Sequence, residues 1–261
     1  MFTHNGKRLW TSLHNAFGIT VQDTNHNPLE LKYQNRIKKV SIEDKLNKNI
    51  KNLEIPFIKT EMTPKILRAT PNQERVCVAN WHSASISVID SETGKNYGSI
   101  KVGSVPRGIA YTSDSKLGFV ANFSGNSLTC FDPYNIKNLN TLERIGTNPR
   151  HLLISPDNQF LYISFHGDGY LRRLDIKNNK LKELYIGGQV RSISADKNFD
   201  YIFADSFSNN QVALVDTKQW KVIEKVKSSY HPVGISYNDK TKEVWVVNQG
   251  DSSLNIFKFN Q

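Results

Sequence analysis

The sequence predicts an all-β fold made of one repeated sheet, and three observations carry that prediction. Residues 75–90, RVCVANWHSASISVID, recur without a gap at five other places, beginning at Arg8, Leu117, Phe160, Tyr201 and Glu243. The starts lie 67, 42, 43, 41 and 42 residues apart. Within each unit, apolar and polar residues alternate with period two between clusters of Asp, Asn, Ser and Gly, the pattern of short strands and tight reversals. A period in the low forties divided into short strands is the signature of a β-propeller, each repeat forming one blade. The expectation is four-stranded antiparallel blades, about six in number.

Taken in order, the first blade is irregular. Aligning residues 3–6 with residues 155–158 puts Met1 inside an inner strand that is complete in later repeats. RLWTSL and FGITVQ follow as strands. The interval from Asp23 to Pro64 is 41 residues where Asp90 to Pro106 takes 16, so about 25 residues are inserted, at about residues 24–51. Lys32, Arg36, Lys38, Lys39, Lys45, Lys48 and Lys51 make this a basic, solvated loop. A short helix is expected within it near residues 42–50, with Ser41 as N-cap and Asp44 three residues on.

The later repeats are regular. The third gives strands at residues 108–113, 118–122, 127–131 and 142–146; the fourth reads HLLIS, FLYIS, YLRRLD, KELYIG and the fifth SISAD, YIFAD, QVALVD, VIEKVK. The sixth has no outer strand. With both terminal blades incomplete, residues 1–261 are expected to form a single propeller domain that is an open or partial ring, or a piece of a longer one.

Column by column the repeat explains its own packing. The third position holds Trp10, Cys77, Phe119, Tyr162, Phe203 and Trp245; the twelfth holds Ile19, Ile86, Leu128, Leu171, Val212 and Leu254. These are core columns, in which each blade buries its face against the next. The last position holds Asp23, Asp90, Asp132, Asp175 and Asp216, carboxylates suited to accept backbone N–H groups in the following turn. Cys77 and Cys130, on strands of different repeats, are expected to be buried free thiols.

Composition restricts function. No run approaches the ~18 apolar residues of a membrane-spanning helix. Lys and Arg outnumber Asp and Glu by 34 to 24, and the net charge of +10 favours nucleic acid, anionic lipid or an acidic ligand as partner. The start, MFTHNGKRLW, lacks the apolar core and small-residue cleavage site of an export signal.

The strands at residues 76–80, 118–122 and 245–248, with Pro149, Ser155-Pro156-Asp157-Asn158 and residues 85–90, resemble the YVTN β-propeller repeat family. That family's pattern is a Pro leading into the inner strand, then SPDG, the YVTN strand and S-V-x-V-I-D. The resemblance covers nearly the whole chain outside the insert. It implies a WD40-like or lactonase-like propeller of bacterial or archaeal type, often seven-bladed, and a periplasmic or extracellular location if the N-terminus is truncated. Relatives include sugar lactonases and haem- or copper-containing reductase domains. Here there is no C-x-x-C-H, and His14 and His166 fall on well-separated blades, so no metal and no cofactor is expected.

Propeller geometry places the loops before the inner strands and those between second and third strands on one face. Just before the inner strands stand Pro64-Lys65, Pro106-Arg107, Pro149-Arg150, Val190-Arg191 and Pro232-Val233. Lys65, Arg107, Arg150 and Arg191 are therefore expected to ring the channel mouth with positive charge that attracts an anion. The competing reading pairs each with a carboxylate or carbonyl. His14, Trp81, His82, Phe123, His166 and Phe207 fall on the same face, and aromatic rings beside cations suit stacking of a base or sugar. Ordinary packing of the blade edges would also account for them.

No G-x-S-x-G elbow, P-loop or H-E-x-x-H is present, and no catalytic residue is assigned. Arg150-His151 is the one adjacent pair of hydrolase type, and strand alternation would point the two to opposite sides. The function expected is a non-enzymatic binding propeller for an anionic ligand, an acidic protein segment, an anionic glycan or single-stranded nucleic acid. The alternative is a lactonase-like hydrolase acting on a small anionic substrate at the channel mouth.

Overall fold

The computed structural model of the chain describes residues 1–14, 17–23, 38–42 and 53–259. Its described residues form six antiparallel sheets and no α-helix. The first sheet contains β1 (Phe2–Thr3), β2 (Arg8–Leu13), β3 (Gly18–Asp23), β4 (Lys38–Ile42) and β5 (Leu53–Lys59), in the order β1-β2-β3-β5-β4. The second is β6 (Pro64–Ala69), β7 (Arg75–Asn80), β8 (Ser85–Asp90) and β9 (Asn96–Lys101). The third is β10 (Pro106–Tyr111), β11 (Gly118–Asn122), β12 (Ser127–Asp132) and β13 (Lys137–Leu142). The fourth is β14 (Pro149–Ile154), β15 (Phe160–Phe165), β16 (Tyr170–Asp175) and β17 (Leu181–Tyr185). The fifth is β18 (Ile193–Ala195), β19 (Tyr201–Ser206), β20 (Gln211–Asp216) and β21 (Lys221–Lys227). The last has three strands, β22 (Pro232–Asn238), β23 (Glu243–Asn248) and β24 (Ser253–Lys258). These are the blades of a β-propeller: the second to fifth are four-stranded meanders, the first carries β4 outside β5, and the last has three strands among the described residues.

Two expectations about elements are corrected. Ser41 and Ile42, read as the start of a helix, lie in β4, which pairs with β5 from Lys38↔Phe57 to Ile42↔Leu53. β-branched residues in both segments favour the pleated ladder over a helical turn; residues 43–52 lie outside the described residues. The outer strand of the third blade is β13, not residues 142–146. Only Leu142 of that range lies in the strand; the chain then leaves it, with positive φ at Arg144 and Gly146 and the Ile145 N–H donating to the Asn126 carbonyl.

The chain divides into two compact units, Met1–Gly118 with Cys130–Asn140, and Phe119–Thr129 with Thr141–Gln261. Within each, the same packing rule holds between successive blades. In the first unit Trp10 and Ile19 (positions three and twelve) cluster with Val76 and Val78 (positions two and four of the next repeat). In the second, Tyr162 and Leu171 cluster with Ile202 and Ala204, and Phe203 and Val212 with Val244 and Val246. Both core columns are at most 4% exposed in the first five repeats. The sixth departs from them: Trp245 is 40% and Leu254 48% exposed, and Val247 and Ile256 are uncovered beside them.

The Asp column closes turns as its position implies. The Oδ1 of Asp90 accepts N–H groups from Glu92 and Thr93, that of Asp132 from Tyr134 and Asn135, and that of Asp175 from Lys177 and Asn178. An Asn column proves equally structural. Asn80, Asn122 and Asn248 are buried at the ends of β7, β11 and β23. Each Nδ2 donates to positions eleven and thirteen of the next strand: Ser85 and Ser87, Ser127 and Thr129, Ser253 and Asn255. Cys77 is a buried free thiol, and Cys130 a partly buried one.

Candidate basic site

The cationic residues sit where the inner strand begins, and the backbone there is irregular for a reason repeated along the chain. Thr63, Val105, Asn148 and His231, each followed by Pro, all have positive φ. The ladder then shifts register between Pro64 and Ile66, between Pro149 and Leu152, and between Pro232 and Gly234. Such bulges bend the strand and re-aim the residues inside them. Lys65, the pair Arg150-His151, and Val233 are those residues. The strict alternation expected for Arg150 and His151 therefore does not apply.

The neighbouring second strand catches the displaced backbone. Ser164 accepts the His151 N–H at 2.9 Å, and Asp205 accepts the Arg191 and Ser192 N–H groups on one oxygen, both at 2.8 Å. The two sets of loops share an edge, because the first residue after the second strand donates to the residue ahead of the inner strand. The bonds are Trp81 to Thr63 at 3.0 Å, His166 to Asn148 at 3.0 Å, Phe207 to Gln189 at 2.9 Å and Gln249 to His231 at 2.8 Å.

In the first unit, two cations approach the ring of Trp81. The Lys65 Nζ is 4.6 Å and the Arg107 guanidinium carbon 4.1 Å from its ring. His14 meets the indole edge-on at 6.2 Å, and His82 bonds through Nδ1 to the Thr63 hydroxyl at 2.7 Å. This bond ties His82 to the residue ahead of the inner strand. Cation–π contacts of this kind contribute roughly 0.5–2 kcal/mol each.

The second unit holds a denser arrangement. The Arg191 guanidinium lies over Phe207 at 3.5 Å, Phe207 stacks on His231 at 4.2 Å, and His231 on Tyr230 at 3.8 Å. Gln249 accepts a weak bond from the same guanidinium at 3.4 Å. Phe123 and His166 form a separate tilted pair at 5.6 Å. His151 accepts the Ile193 N–H on Nδ1 at 3.1 Å, which commits that ring nitrogen to the neighbouring blade.

Asp205 is the centre of this arrangement, fully buried and flanked by Arg150 and Arg191. Burial pushes its carboxyl up to about 7, against the pull of two backbone N–H groups and two guanidinium groups. Its second oxygen accepts no hydrogen bond among the described residues. Arg150 falls to about 10, through desolvation first and then the positive charge of Arg191. Arg191 is lowered too, by desolvation. Two partly buried cations near one buried carboxylate leave a surplus positive charge in an incompletely screened place.

The sequence-read residues therefore fall into separate groups. Lys65, Arg107, Trp81 and His82 come together in the first unit; Arg191 with Phe207, Phe123 with His166, and Arg150 beside Arg191 belong to the second. Asp205, Tyr230 and His231 were missed. Asp205 had a signal: at the fifth position of the repeat the other copies carry Ser12, Ala79, Ala121, Ser164 and Val247, so an Asp in that column is anomalous. Among the described residues no group of three His, Cys, Asp or Glu side chains is placed to hold a metal ion.

No family model matches the sequence. A curated relative, "Antigen Lp49" of Leptospira interrogans serogroup Icterohaemorrhagiae serovar copenhageni (strain Fiocruz L1-130), is 24% identical over 205 residues, 76% of this chain. The chain spans 44% of that relative's length. Among solved structures, a chain of the Mitotic Checkpoint Complex superposes with a TM-score of 0.79 at 12% identity, over 100% of this chain and 74% of its own. A candidate 6-phosphogluconolactonase from Bacteroides uniformis ATCC 8492 gives 0.75 at 15% identity, over 100% and 80%. A functionally unknown protein from Desulfotomaculum acetoxidans DSM 771 gives 0.75 at 15%, over 97% and 75%. At such identities the likeness is one of fold, and the fold is the β-propeller.

Proposed function

We propose that the protein is a non-enzymatic binding propeller that holds the anionic group of a ligand or acidic partner at Arg150 and Arg191. The observation that carries this reading is the charge arrangement around Asp205: two guanidinium groups share one carboxylate, and one oxygen of that carboxylate already serves two backbone N–H groups. A phosphate, sulfate or carboxylate brought to the pair would neutralise the surplus through charge-assisted hydrogen bonds. Phe207 is covered by Arg191 on one face and by His231 on the other, so a base or sugar ring would stack on the guanidinium that covers it. The Lys65–Trp81–Arg107 arrangement repeats the pairing of cation and ring in the first unit. Single-stranded nucleic acid, an anionic glycan and an acidic protein segment are the partner classes this chemistry suits. The YVTN-type reading belongs to the same proposal, supported by the Asn ending β7, β11 and β23, whose cross-strand bonds explain why that strand carries it.

The test is retention on heparin and on single-stranded DNA, with the salt dependence of affinity, for the wild type, Arg150→Ala and Arg191→Ala. Loss of either arginine should weaken binding and lower the salt slope by about one. Unchanged affinity and slope in both variants would dismiss the reading.

A second reading, a lactonase-like hydrolase of small anionic substrates, is favoured by the bulge that frees Arg150 and His151 from alternation. The likeness in fold to a candidate 6-phosphogluconolactonase supports it as well. A lactone and ester panel decides it: turnover lost in both Arg150→Ala and His151→Ala would support it, and no turnover above buffer would remove it.

A further inference from the structure

We infer that Trp81, Lys65 and Arg107 form a second anion site, in the first unit, that takes a phosphate monoester through the indole N–H and the two cations. The first observation concerns the four indole N–H groups of the chain. That of Trp10 donates to the Thr3 hydroxyl at 2.9 Å, that of Trp220 to the Glu183 carbonyl at 3.1 Å and that of Trp245 to the Glu243 carboxylate at 3.2 Å. The Trp81 Nε1 is buried as well, and it has no acceptor among the described residues. A buried donor without an acceptor is costly, and a native structure rarely keeps one for nothing.

The second observation is the charge gathered at the same ring. The Lys65 Nζ stands 4.6 Å and the Arg107 guanidinium carbon 4.1 Å from its centroid, so two like charges meet at one indole. Among the described residues no carboxylate pairs with Lys65. Two positive charges and one neutral donor suit a phosphate monoester, which carries close to two negative charges above its second pKa of about 6. A phosphodiester, with a single charge, suits them less well.

The frame that holds these groups is already tied together. The Trp81 backbone N–H donates to the Thr63 carbonyl at 3.0 Å, the His82 Nδ1 meets the Thr63 hydroxyl at 2.7 Å, and the Ser83 hydroxyl accepts the Met62 N–H at 2.9 Å. The loop carrying the indole is thus fixed to the residues that lead into Lys65, which the register shift between Pro64 and Ile66 then aims. Such prior fixing lowers the ordering cost of binding. Lys65 is exposed on a flexible stem, so its ammonium can move with an arriving anion and uncover the ring edge. All three residues belong to the second and third blades, both four-stranded. The site goes beyond the Arg150–Arg191 reading and shares no residue with it.

The test follows the four indole signals in a nitrogen–proton correlation spectrum of the full chain, titrated with methyl phosphate at about pH 7.5, where it is mostly the dianion. The signal that Trp81→Phe removes is expected to shift and saturate, with a Kd of about 1 mM or tighter. The other three, already bonded, should stay in place and report an intact fold in every variant. Dimethyl phosphate, the monoanionic diester, should bind at least about tenfold more weakly, and Lys65→Ala and Arg107→Ala should each lower affinity at least about fivefold. Arg150→Ala and Arg191→Ala should leave the curve unchanged, so failure here is told apart from failure of the reading that rests on those arginines. Any of four results would overturn the inference: no shift of the Trp81 signal up to about 20 mM, an equal response to the diester, unchanged affinity in both Lys65→Ala and Arg107→Ala, or a response lost in Arg150→Ala, which would assign the phosphate to the other site.

Discussion

The guanidinium carbon of Arg191 lies over the ring of Phe207, 3.5 Å from its centroid, while the Arg191 backbone N–H donates to the carboxylate of Asp205 at 2.8 Å. The side chain is thus fixed from two directions before any ligand arrives. Arg191→Lys keeps the charge but loses the planar group that stacks, so it should destabilise the fold by roughly 0.5–2 kcal/mol. Urea denaturation measures this, and Phe207→Leu should give a similar loss. If the contact is what matters, the double variant will lose less than the sum of the two.

Asp205 should make stability fall with pH in a defined window. Its carboxyl titrates near 4 in the unfolded chain, at about 3.9, and at about 7 in the folded one. Between those values the unfolded chain releases the proton and the folded chain keeps it. The stabilising contribution is therefore complete below about pH 4 and is lost as pH rises through about 7. Asp205→Asn removes this titration. The stability difference between wild type and variant should drop across that window, by an amount on the order of a few kcal/mol at most, and stay flat above pH 8. Denaturation curves at pH 4.5, 6 and 8 test the sign.

Protonation of the same carboxyl bears on ligand binding. A neutral Asp205 leaves Arg150 and Arg191 without their shared counter-charge, so affinity for an anion should rise as pH falls through about 7. Retention of single-stranded DNA at pH 6 and pH 8 at fixed salt measures the change, and Asp205→Asn should abolish it.

Asn122→Ala should cost roughly 1–3 kcal/mol. The amide is buried and joins the end of β11 to Ser127 and Thr129 of β12, so its removal takes a donor from two buried hydroxyls, of which that of Thr129 keeps its bond to Thr141. Asn80→Ala should behave alike, through Ser85 and Ser87. Chemical denaturation of the two variants gives the comparison.

The two thiols should be slow toward Ellman's reagent in the native protein. Burial pushes Cys77 up to about 12 and Cys130 to about 11, leaving almost no thiolate at pH 8. Cys130, partly exposed, should react before Cys77, and both should react at once in guanidinium chloride.

How far the sequence could be read depended on whether a feature was local or paired. Core columns such as Trp10–Cys77–Tyr162–Phe203 were legible because they recur with the period and each copy meets the same neighbour. Ser41 misled: its capping signal is local, whereas its strand depends on pairing with Glu54, thirteen residues away across segments with no repeat equivalent. The alternation rule placed Arg150 and His151 on opposite sides because a register shift leaves no mark in the sequence beyond the Pro ahead of it. The Phe207–His231 stack was hidden for a different reason: it joins loops of two blades, and although Phe207 stands in a recurring aromatic column, the position of His231 holds Thr63, Val105 and Asn148 elsewhere. Asp205 was legible in principle, as a carboxylate in a column of Ser, Ala and Val.

The bulge that opens the inner strands β6, β14 and β22 separates placement from identity. Its geometry is set by a Pro, a positive φ before it and a register shift, and it holds Lys65 in one blade, Arg150 in another and Val233 in a third. Three unlike side chains occupy one backbone device, so the position behaves as an exchangeable socket. Recognition can then drift or be redesigned there residue by residue while the blades beneath go on packing as before.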